Sequence, residues 1–212
     1  MEIPLILKLK KQSHKNIAGA QDLIIEEIYK VFDRAVLHGG TAIWRCYSGN
    51  RFSEDIDVYI PRNVGKINSL FENLEQKGFT IQKKKIGENS LYSVLKINDA
   101  IVSFEALFKK ISGELREYLR VDGNIIMIYT LSPEELIKEK IDTYIKRQKI
   151  KDFYDIFFLI RHIKDKNKIK ESLNKLIDYQ KEPLDEKELR VLIIEGLIPD
   201  FRQMEDYIKR SI

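Results

Sequence analysis

The sequence lacks the features that mark several common classes of protein. A single cysteine, Cys46, excludes an internal disulfide and fits a reducing compartment, so we expect a cytoplasmic protein. No apolar run approaches the ~20 residues that a bilayer-spanning helix needs, and we expect no membrane partner. The three histidines suggest no site, and zinc-ligand spacing, a Ser-His-Asp arrangement and a dinucleotide-binding glycine motif are all missing. These absences set aside zinc, serine-nucleophile and dinucleotide chemistry.

A strong excess of charge of one sign is also lacking. The 212 residues include 37 basic and 33 acidic side chains, a net charge of +4, which does not by itself establish a nucleic-acid partner. Two local clusters are more suggestive, Lys83-Lys84-Lys85 and the basic residues of 146–151. Each cluster either follows a phosphate backbone or forms a solvated face, and the sequence leaves both interpretations open.

The residues that are present predict a folded α/β protein. Hydrophobic residues make up 43% of the chain and charged residues 33%, which is typical of a globular protein. Alternating and helical apolar patterns predict a mixed α/β region to about residue 130, with an antiparallel meander of strands over 80–108. A helix start follows at Ser132-Pro133-Glu134-Glu135, with an N-cap, a proline at the first position and a capping box. We therefore predict an α/β domain over residues 1–130 and a helical domain over 131–212.

One stretch combines a glycine turn with two alternating acids. Gly39 and Gly40 precede a predicted helix, whose backbone N–H groups can cradle a phosphate. Asp55 and Asp57 fall in a predicted strand over 55–60, so their side chains point to the same face. Neighbouring carboxylates repel each other unless a cation neutralises them, and they suit Mg²⁺ held together with substrate phosphates. The combination predicts phosphoryl or nucleotidyl transfer.

The same stretch carries a family resemblance. Residues 39–60, GGTAIWRCYSGNRFSEDIDVYI, resemble the first motif of the nucleotidyltransferase superfamily in its AbiEii/MenT-type toxin branch. That motif is Gly-Gly-Thr-Ala-apolar followed by Arg-x-Ser-x-Asp-apolar-Asp, and every position is present. The resemblance extends over about residues 36–160. It implies an α/β (α+β) fold, a mixed sheet with flanking helices followed by a helical bundle. It also implies metal-dependent transfer of NMP from an NTP, with Mg²⁺ or Mn²⁺ as cofactor and pyrophosphate as product.

Glu105 is the candidate for a third metal ligand. Alternation in the predicted strand 100–108 places it on one face with Ile101 and Ser103. A lone acid in an apolar run needs a partner because an unpaired buried charge is costly. That partner is either a metal shared with Asp55 and Asp57 or a nearby lysine. The resemblance favours the metal, since family members carry a third acid, frequently Asp, in this region.

Four residues around the acids are expected to surround the triphosphate: Gly39, Gly40, Thr41 and Ser53. Thr41 is interpreted as the N-cap of the helix, with a hydroxyl that also reaches the nucleotide. Arg51 either binds a phosphate or clamps its loop through a carboxylate, and the sequence does not separate these roles.

Residues 139–156 resemble the family's later motif, a helical lysine, an arginine seven residues on, then Asp-x-x-Asp. The resemblance implies that Lys140 contacts the nucleotide phosphates and that Asp152 and Asp155 are important to the site. By charge, Arg147 can pair with either acid, and one of the acids can orient the acceptor. The alternative is a structural ion-pair network that fastens the helical bundle to the α/β domain.

The acceptor is the least determined part of the prediction. The resemblance implies a toxin or defence component that modifies RNA, in particular tRNA, with an antitoxin encoded beside it. A small molecule or a protein is the alternative acceptor. A non-catalytic module that binds a nucleotide or a partner is the alternative outside enzymology. The complete set of acids favours catalysis.

Overall fold

The computed structural model describes residues 4–179 and 181–211, which form two compact units. Unit 1 contains the chain up to Ser48 and Phe52–Thr130, and unit 2 contains Gly49–Arg51 and the chain from Leu131 onward. The main division therefore follows residue 130. The short segment Gly49–Arg51 departs from the sequence assignment, which placed it in the first domain. The assignment of residues 1–130 as the catalytic domain and of residues 131–212 as a helical domain stays a prediction.

The described residues of unit 1 form seven strands and four helices. The strands are β1 (Val36–His38), β2 (Ile56–Ile60), β3 (Thr80–Ile86), β4 (Ser90–Ile97), β5 (Ala100–Phe108), β6 (Glu114–Leu119) and β7 (Ile125–Thr130). The helices are α1 (Leu5–Lys8), α2 (Gln12–Val31), α3 (Gly39–Cys46) and α4 (Val64–Gln76). The sequence missed β6, an edge strand in which three of the six residues are charged and only Tyr118 is buried.

The seven strands form one mixed sheet in the order β3-β4-β5-β2-β1-β7-β6. β2 runs parallel to β5 and antiparallel to β1, while β3, β4 and β5 form the predicted antiparallel meander. Helices α2 and α4 pack together, and α2 also contacts β5. Val102, Phe104 and Ala106 of β5 are buried, as the alternation predicted. The mixed sheet with flanking helices confirms the predicted fold class.

A buried ion pair ties the beginning of unit 1 to its far edge strand. Asp22 of α2 accepts hydrogen bonds from Arg45 of α3 and from the hydroxyl of Tyr118, the latter at 3.1 Å. All three side chains are buried. Because buried charges are stable only when they are paired and hydrogen-bonded, this cluster is a structural element of the core.

Unit 2 is helical. Its helices are α5 (Pro133–Arg147), α6 (Ile150–Leu159), α7 (Lys170–Tyr179), α8 (Leu189–Leu192) and α9 (Phe201–Arg210). The predicted capping box is present, with Ser132 and Glu135 bonded reciprocally and Pro133 in the first turn of α5. No helix among the described residues is long and apolar enough to cross a membrane.

The apolar pattern of the sequence over residues 186–197 predicts one helix, and this prediction is wrong. A short 3₁₀ turn and the four-residue α8 end at Leu192, and the chain then becomes extended. Ile193 forms a β-bridge with Arg51, and the N–H of Ile194 donates to the carbonyl of Asn50 at 2.8 Å. Pairing with this distant segment therefore takes the place of helical hydrogen bonds. The sequence also missed α9, which begins with an Asp200–Gln203 capping box.

Candidate active site

A row of four polar side chains crosses neighbouring strands of the unit 1 sheet. His38 of β1 is paired with Asp57 of β2, Asp57 with Glu105 of β5, and Glu105 with Tyr92 of β4. Directly paired residues point to the same face of a sheet. Asp57 and Glu105 therefore lie side by side, in the arrangement that the sequence predicted for an acid on an adjacent strand.

Asp55 lies just before β2, which begins at Ile56 rather than at the predicted residue 55. Strand alternation consequently does not by itself place Asp55 beside Asp57. The pKa of Glu105 nevertheless responds to both aspartates. Partial burial raises this pKa most, and the charge of Asp57 raises it further. His38 lowers it, and Asp55 adds a smaller rise. The charges of Asp57 and Asp55 thus both act against the ionised form of Glu105, an effect that a bound cation would oppose.

Glu105 is exposed, which corrects one step of the sequence argument. The apolar run around it suggested a buried acid in need of a partner, but Ile101 on the same face is also 49% exposed. Only the opposite face of β5 belongs to the core. Glu105 therefore lies on the exposed face of β5, where acidic neighbours add to the effect of its partial burial on its pKa.

Gly39 allows the helix start to approach Asp57 closely. Its φ is +70°, a left-handed conformation that side chains disfavour, and a Cβ at this position would overlap Oδ2 of Asp57. α3 begins at Gly39 itself, so the glycines form its first turn. The first turn of α3 therefore lies directly against the side chain of Asp57.

Thr41 has a different role from the predicted one. The N-cap of α3 is His38, not Thr41, and Thr41 is fully buried. Its hydroxyl donates to the backbone carbonyl of Asp55. The side-chain amide of Gln21, also buried, donates to the carbonyl of Ser53 at 2.9 Å. These two bonds hold the backbone just before β2. The sequence analysis missed Gln21, although an amide on the buried face of α2 was a signal that could have identified it.

The later motif forms an ion-pair network inside unit 2. Arg51 binds Asp155 through two nitrogens, at 2.7 and 2.8 Å. Lys140 Nζ lies 2.7 Å from Asp155 and 3.2 Å from Asp152. Arg147 completes the network with two bonds to Asp152, at 2.7 and 2.8 Å. Three cations and two anions therefore alternate in one chain of contacts.

This network gives the predicted motif residues structural contacts. Arg51 clamps its loop through a carboxylate, one of the two roles predicted for it. Both oxygens of Asp152 and of Asp155 are engaged, and both side chains are at most 1% exposed. Burial alone would raise the pKa of Asp155, but the charges of Arg51 and Lys140 lower it. Catalytic roles for Lys140, Asp152 and Asp155 stay predictions, to which these contacts add no support.

The donor set of the sheet fits a hard divalent cation. Asp55, Asp57 and Glu105 offer carboxylate oxygens, the ligands that Mg²⁺ prefers, and their mutual repulsion falls when a cation binds. As they stand, no group of three or more His, Cys, Asp or Glu side chains within residues 4–179 and 181–211 is spaced to hold a metal ion. The acids would therefore have to draw closer around a bound ion.

A cationic cleft of about 680 Å³ opens along one edge of unit 1. Arg34, Lys109 and Lys110 line it together with Val36 and Tyr129, and no acid is among its lining residues. Val36 and His38 are two residues apart on β1, so their side chains point to the same face of the sheet. The cleft falls in the range of small-ligand pockets and favours an anion.

Comparison with known families agrees with this geometry. Residues 26–210 match the family described as nucleotidyl transferase AbiEii toxin, type IV toxin–antitoxin system. The match covers most of the chain, which therefore belongs to this family of nucleotidyltransferases. Membership implies an NTP substrate and an antitoxin partner. No curated protein matches the sequence.

Solved structures share the fold. MenT4, a nucleotidyltransferase toxin from Mycobacterium tuberculosis, superposes with a TM-score of 0.65 at 16% identity, over 94% of this chain and 82% of that one. JHP933 from Helicobacter pylori gives a TM-score of 0.63 at 17% identity, over 95% of this chain and 90% of that one. At such identities the likeness establishes the fold.

Proposed function

We propose that this chain is a toxin that transfers NMP from an NTP to an RNA acceptor, with Asp55, Asp57 and Glu105 holding Mg²⁺ or Mn²⁺. The observation that carries the proposal is the pairing of Asp57 with Glu105 on adjacent strands, within the electrostatic range of Asp55. Membership of the AbiEii family supplies the reaction class.

The carboxylates and the glycine turn have different roles in this proposal. A bound divalent ion would neutralise phosphate charge at the carboxylates. In this proposal the N–H groups of Gly39 and Gly40, in the first turn of α3, receive phosphate oxygens. The acceptor hydroxyl oxygen bonds to the α-phosphorus, the bond from that phosphorus to the bridging oxygen breaks, pyrophosphate leaves and the hydroxyl proton passes to water.

The buried polar residues act as positioning residues in this proposal. Thr41 and Gln21 hold the backbone of Ser53 and Asp55 from inside unit 1. In unit 2, Asp155 holds Arg51, four residues before Asp55 in the chain. Neither set needs to touch the nucleotide, which explains why the side chains are buried.

The test measures transfer and metal binding separately. Purified protein is incubated with each α-³²P-labelled NTP, total RNA, and Mg²⁺ or Mn²⁺, beside an Asp55→Ala/Asp57→Ala double variant. We expect label in RNA, with a tRNA-sized band as the specific expectation, for the intact protein alone. Calorimetric titration with Mn²⁺ is expected to show binding that the variant loses.

The possible failures are distinct. Label that enters only protein, or only small molecules, would replace RNA by that acceptor class. Failure to bind any NTP would contradict nucleotidyl transfer by this chain. Equal Mn²⁺ binding by both proteins would remove the acids from the metal site.

A further inference from the structure

The sequence left open whether the cluster Lys83-Lys84-Lys85 binds a phosphate backbone or forms a solvated face. In the structure these three lysines point to both faces of the sheet. On β3, Lys83 is paired with Val94 and Lys85 with Tyr92, so both lysines point to the face that carries Glu105. Lys84 points to the opposite face, where its Nζ lies 4.1 Å from the ring centroid of Phe71 and 3.3 Å from Asn68.

The carboxylate row continues without interruption to these lysines. Tyr92 is paired with Glu105 on one side and with Lys85 on the other, and Lys83 Nζ lies 5.1 Å from the Tyr92 ring. Since strands are about 4.8 Å apart, Lys85 is about 14 Å from Asp57 along the row. Both lysines are exposed, and neither makes a salt bridge with any described residue.

Single-stranded nucleic acids bind to surfaces that combine positive charge with aromatic rings, and here the lysines lie beside Tyr92, which is half-buried. Lysines receive the phosphates, while the ring stacks on a base. Lysines on an edge strand also discourage pairing with other sheets. That protective role does not account for the side-by-side placement of Lys85 and Tyr92 in line with the acids.

We propose that Lys83, Lys85 and Tyr92 form an acceptor track that binds the 3′ segment of single-stranded RNA and directs its terminal hydroxyl toward Glu105 and Asp57. The proposal rests on the RNA-transfer function proposed above. The cleft lined by Arg34, Lys109 and Lys110 offers a separate cationic surface for the phosphates of the other substrate.

Binding is tested first without NTP or metal. Fluorescence anisotropy of a 5′-fluorescein-labelled single-stranded RNA is measured for wild type, Lys83→Gln/Lys85→Gln, and the matched control Lys84→Gln. We expect the double variant to bind at least tenfold more weakly, and its salt dependence, as log K against log salt, to fall by about 1.4 for two lost contacts. Lys84→Gln is expected to bind as wild type does.

The ring is tested by a second pair of variants. Tyr92→Ala is expected to weaken RNA binding by roughly tenfold, whereas Tyr92→Phe, which retains a stacking surface, is expected to bind nearly as wild type. Circular dichroism of all variants checks the fold. Equal losses in Phe and Ala would contradict stacking.

Steady-state transfer assays then separate the two substrates. The lysine double variant is expected to raise the KM for RNA and to leave the KM for NTP unchanged. A raised KM for NTP with unchanged RNA binding would assign the lysines to the nucleotide and overturn the track. RNA binding that depends on the track, without any transfer by wild type, would support the track while refuting the proposed transfer reaction. Wild-type protein that does not bind RNA would overturn the track.

Discussion

The acids of unit 1 and those of unit 2 occupy opposite environments, although the sequence motifs presented both groups as parts of one site. Glu105 is exposed and has Asp57 and Asp55 as charged neighbours, whereas Asp155 is buried between Arg51 and Lys140. The pKa of Glu105 is raised in the folded protein, and that of Asp155 is lowered.

The raised pKa of Glu105 and the lowered pKa of Asp155 have different consequences for the stability of the folded protein. The folded state disfavours the ionised form of Glu105, so this acid opposes folding at neutral pH. The folded state favours the ionised form of Asp155, which therefore contributes to stability at the same pH. A cluster of acids that raises the pKa of one of its members is typical of functional sites, whereas buried acids paired with cations are typical of structural networks.

The sharpest test of this comparison replaces one carboxylate in each unit by its amide. Asp155→Asn leaves Arg51 and Lys140 short of a counter-charge in a buried place, and we expect it to lower the free energy of unfolding by about 3–5 kcal/mol. Glu105→Gln removes repulsion from an exposed face, so we expect stability to be unchanged or slightly higher. Urea unfolding followed by circular dichroism measures both. Since Trp44 is the single tryptophan and lies in unit 1, its fluorescence reports that unit separately.

Each amide variant also controls for the other. If Glu105→Gln destabilised the protein as much as Asp155→Asn does, the carboxylate row would be structural. If Asp155→Asn left stability intact, the network would not hold unit 2 together. Transfer activity is expected to vanish in Glu105→Gln while its fold persists.

The part of the site that the sequence predicted is the part governed by short-range rules. Two-residue alternation placed Asp57 on one face of its strand and Glu105 on one face of another, and the capping box at Ser132 followed from four consecutive residues. Strand pairing then brought Asp57 and Glu105 together as predicted.

The parts of the fold and of the site that the sequence did not predict depend on contacts between residues far apart in the chain. Arg51 is 104 positions from Asp155, so its choice between phosphate and carboxylate was not decided locally. Ile193 follows the end of α8 and pairs with Arg51, which is also far from it in the chain, so no local pattern predicted this contact. Thr41 met the local requirements of an N-cap, but its hydroxyl bonds the carbonyl of Asp55, which only the folded unit brings near.

A smaller effect is expected when a methyl group is added beside the carboxylates. Gly39→Ala forces a side chain into a left-handed conformation and against Asp57, which we expect to cost about 1–2 kcal/mol of stability. Displacement of Asp57 by even about 1 Å is expected to lower transfer on the order of a hundredfold. Thermal unfolding and the labelling assay measure the two effects.

Gly19→Ala is the matched control for this substitution. Gly19 lies within α2, and a Cβ there would meet nothing within 4 Å. Because alanine is the better helix former, we expect a gain of about 0.5–1 kcal/mol and unchanged transfer. Loss of activity in both variants would show that the effect of Gly39→Ala is not specific to the approach of Asp57.

The smallest expected effect is a difference in the response to acid. An aspartate in the unfolded chain has a pKa of about 3.9, and that of Asp155 is lower in the folded protein. The stability it contributes is therefore present above about pH 4 and is lost as the pH falls through the lowered value. Urea unfolding between about pH 3 and 5 should give wild type a steeper loss than Asp155→Asn, by at most about 1.4 kcal/mol per pH unit for one proton. Parallel curves for the two proteins would mean that Asp155 is not held in its ionised form, and the contrast between the acids of the two units would then rest on burial alone.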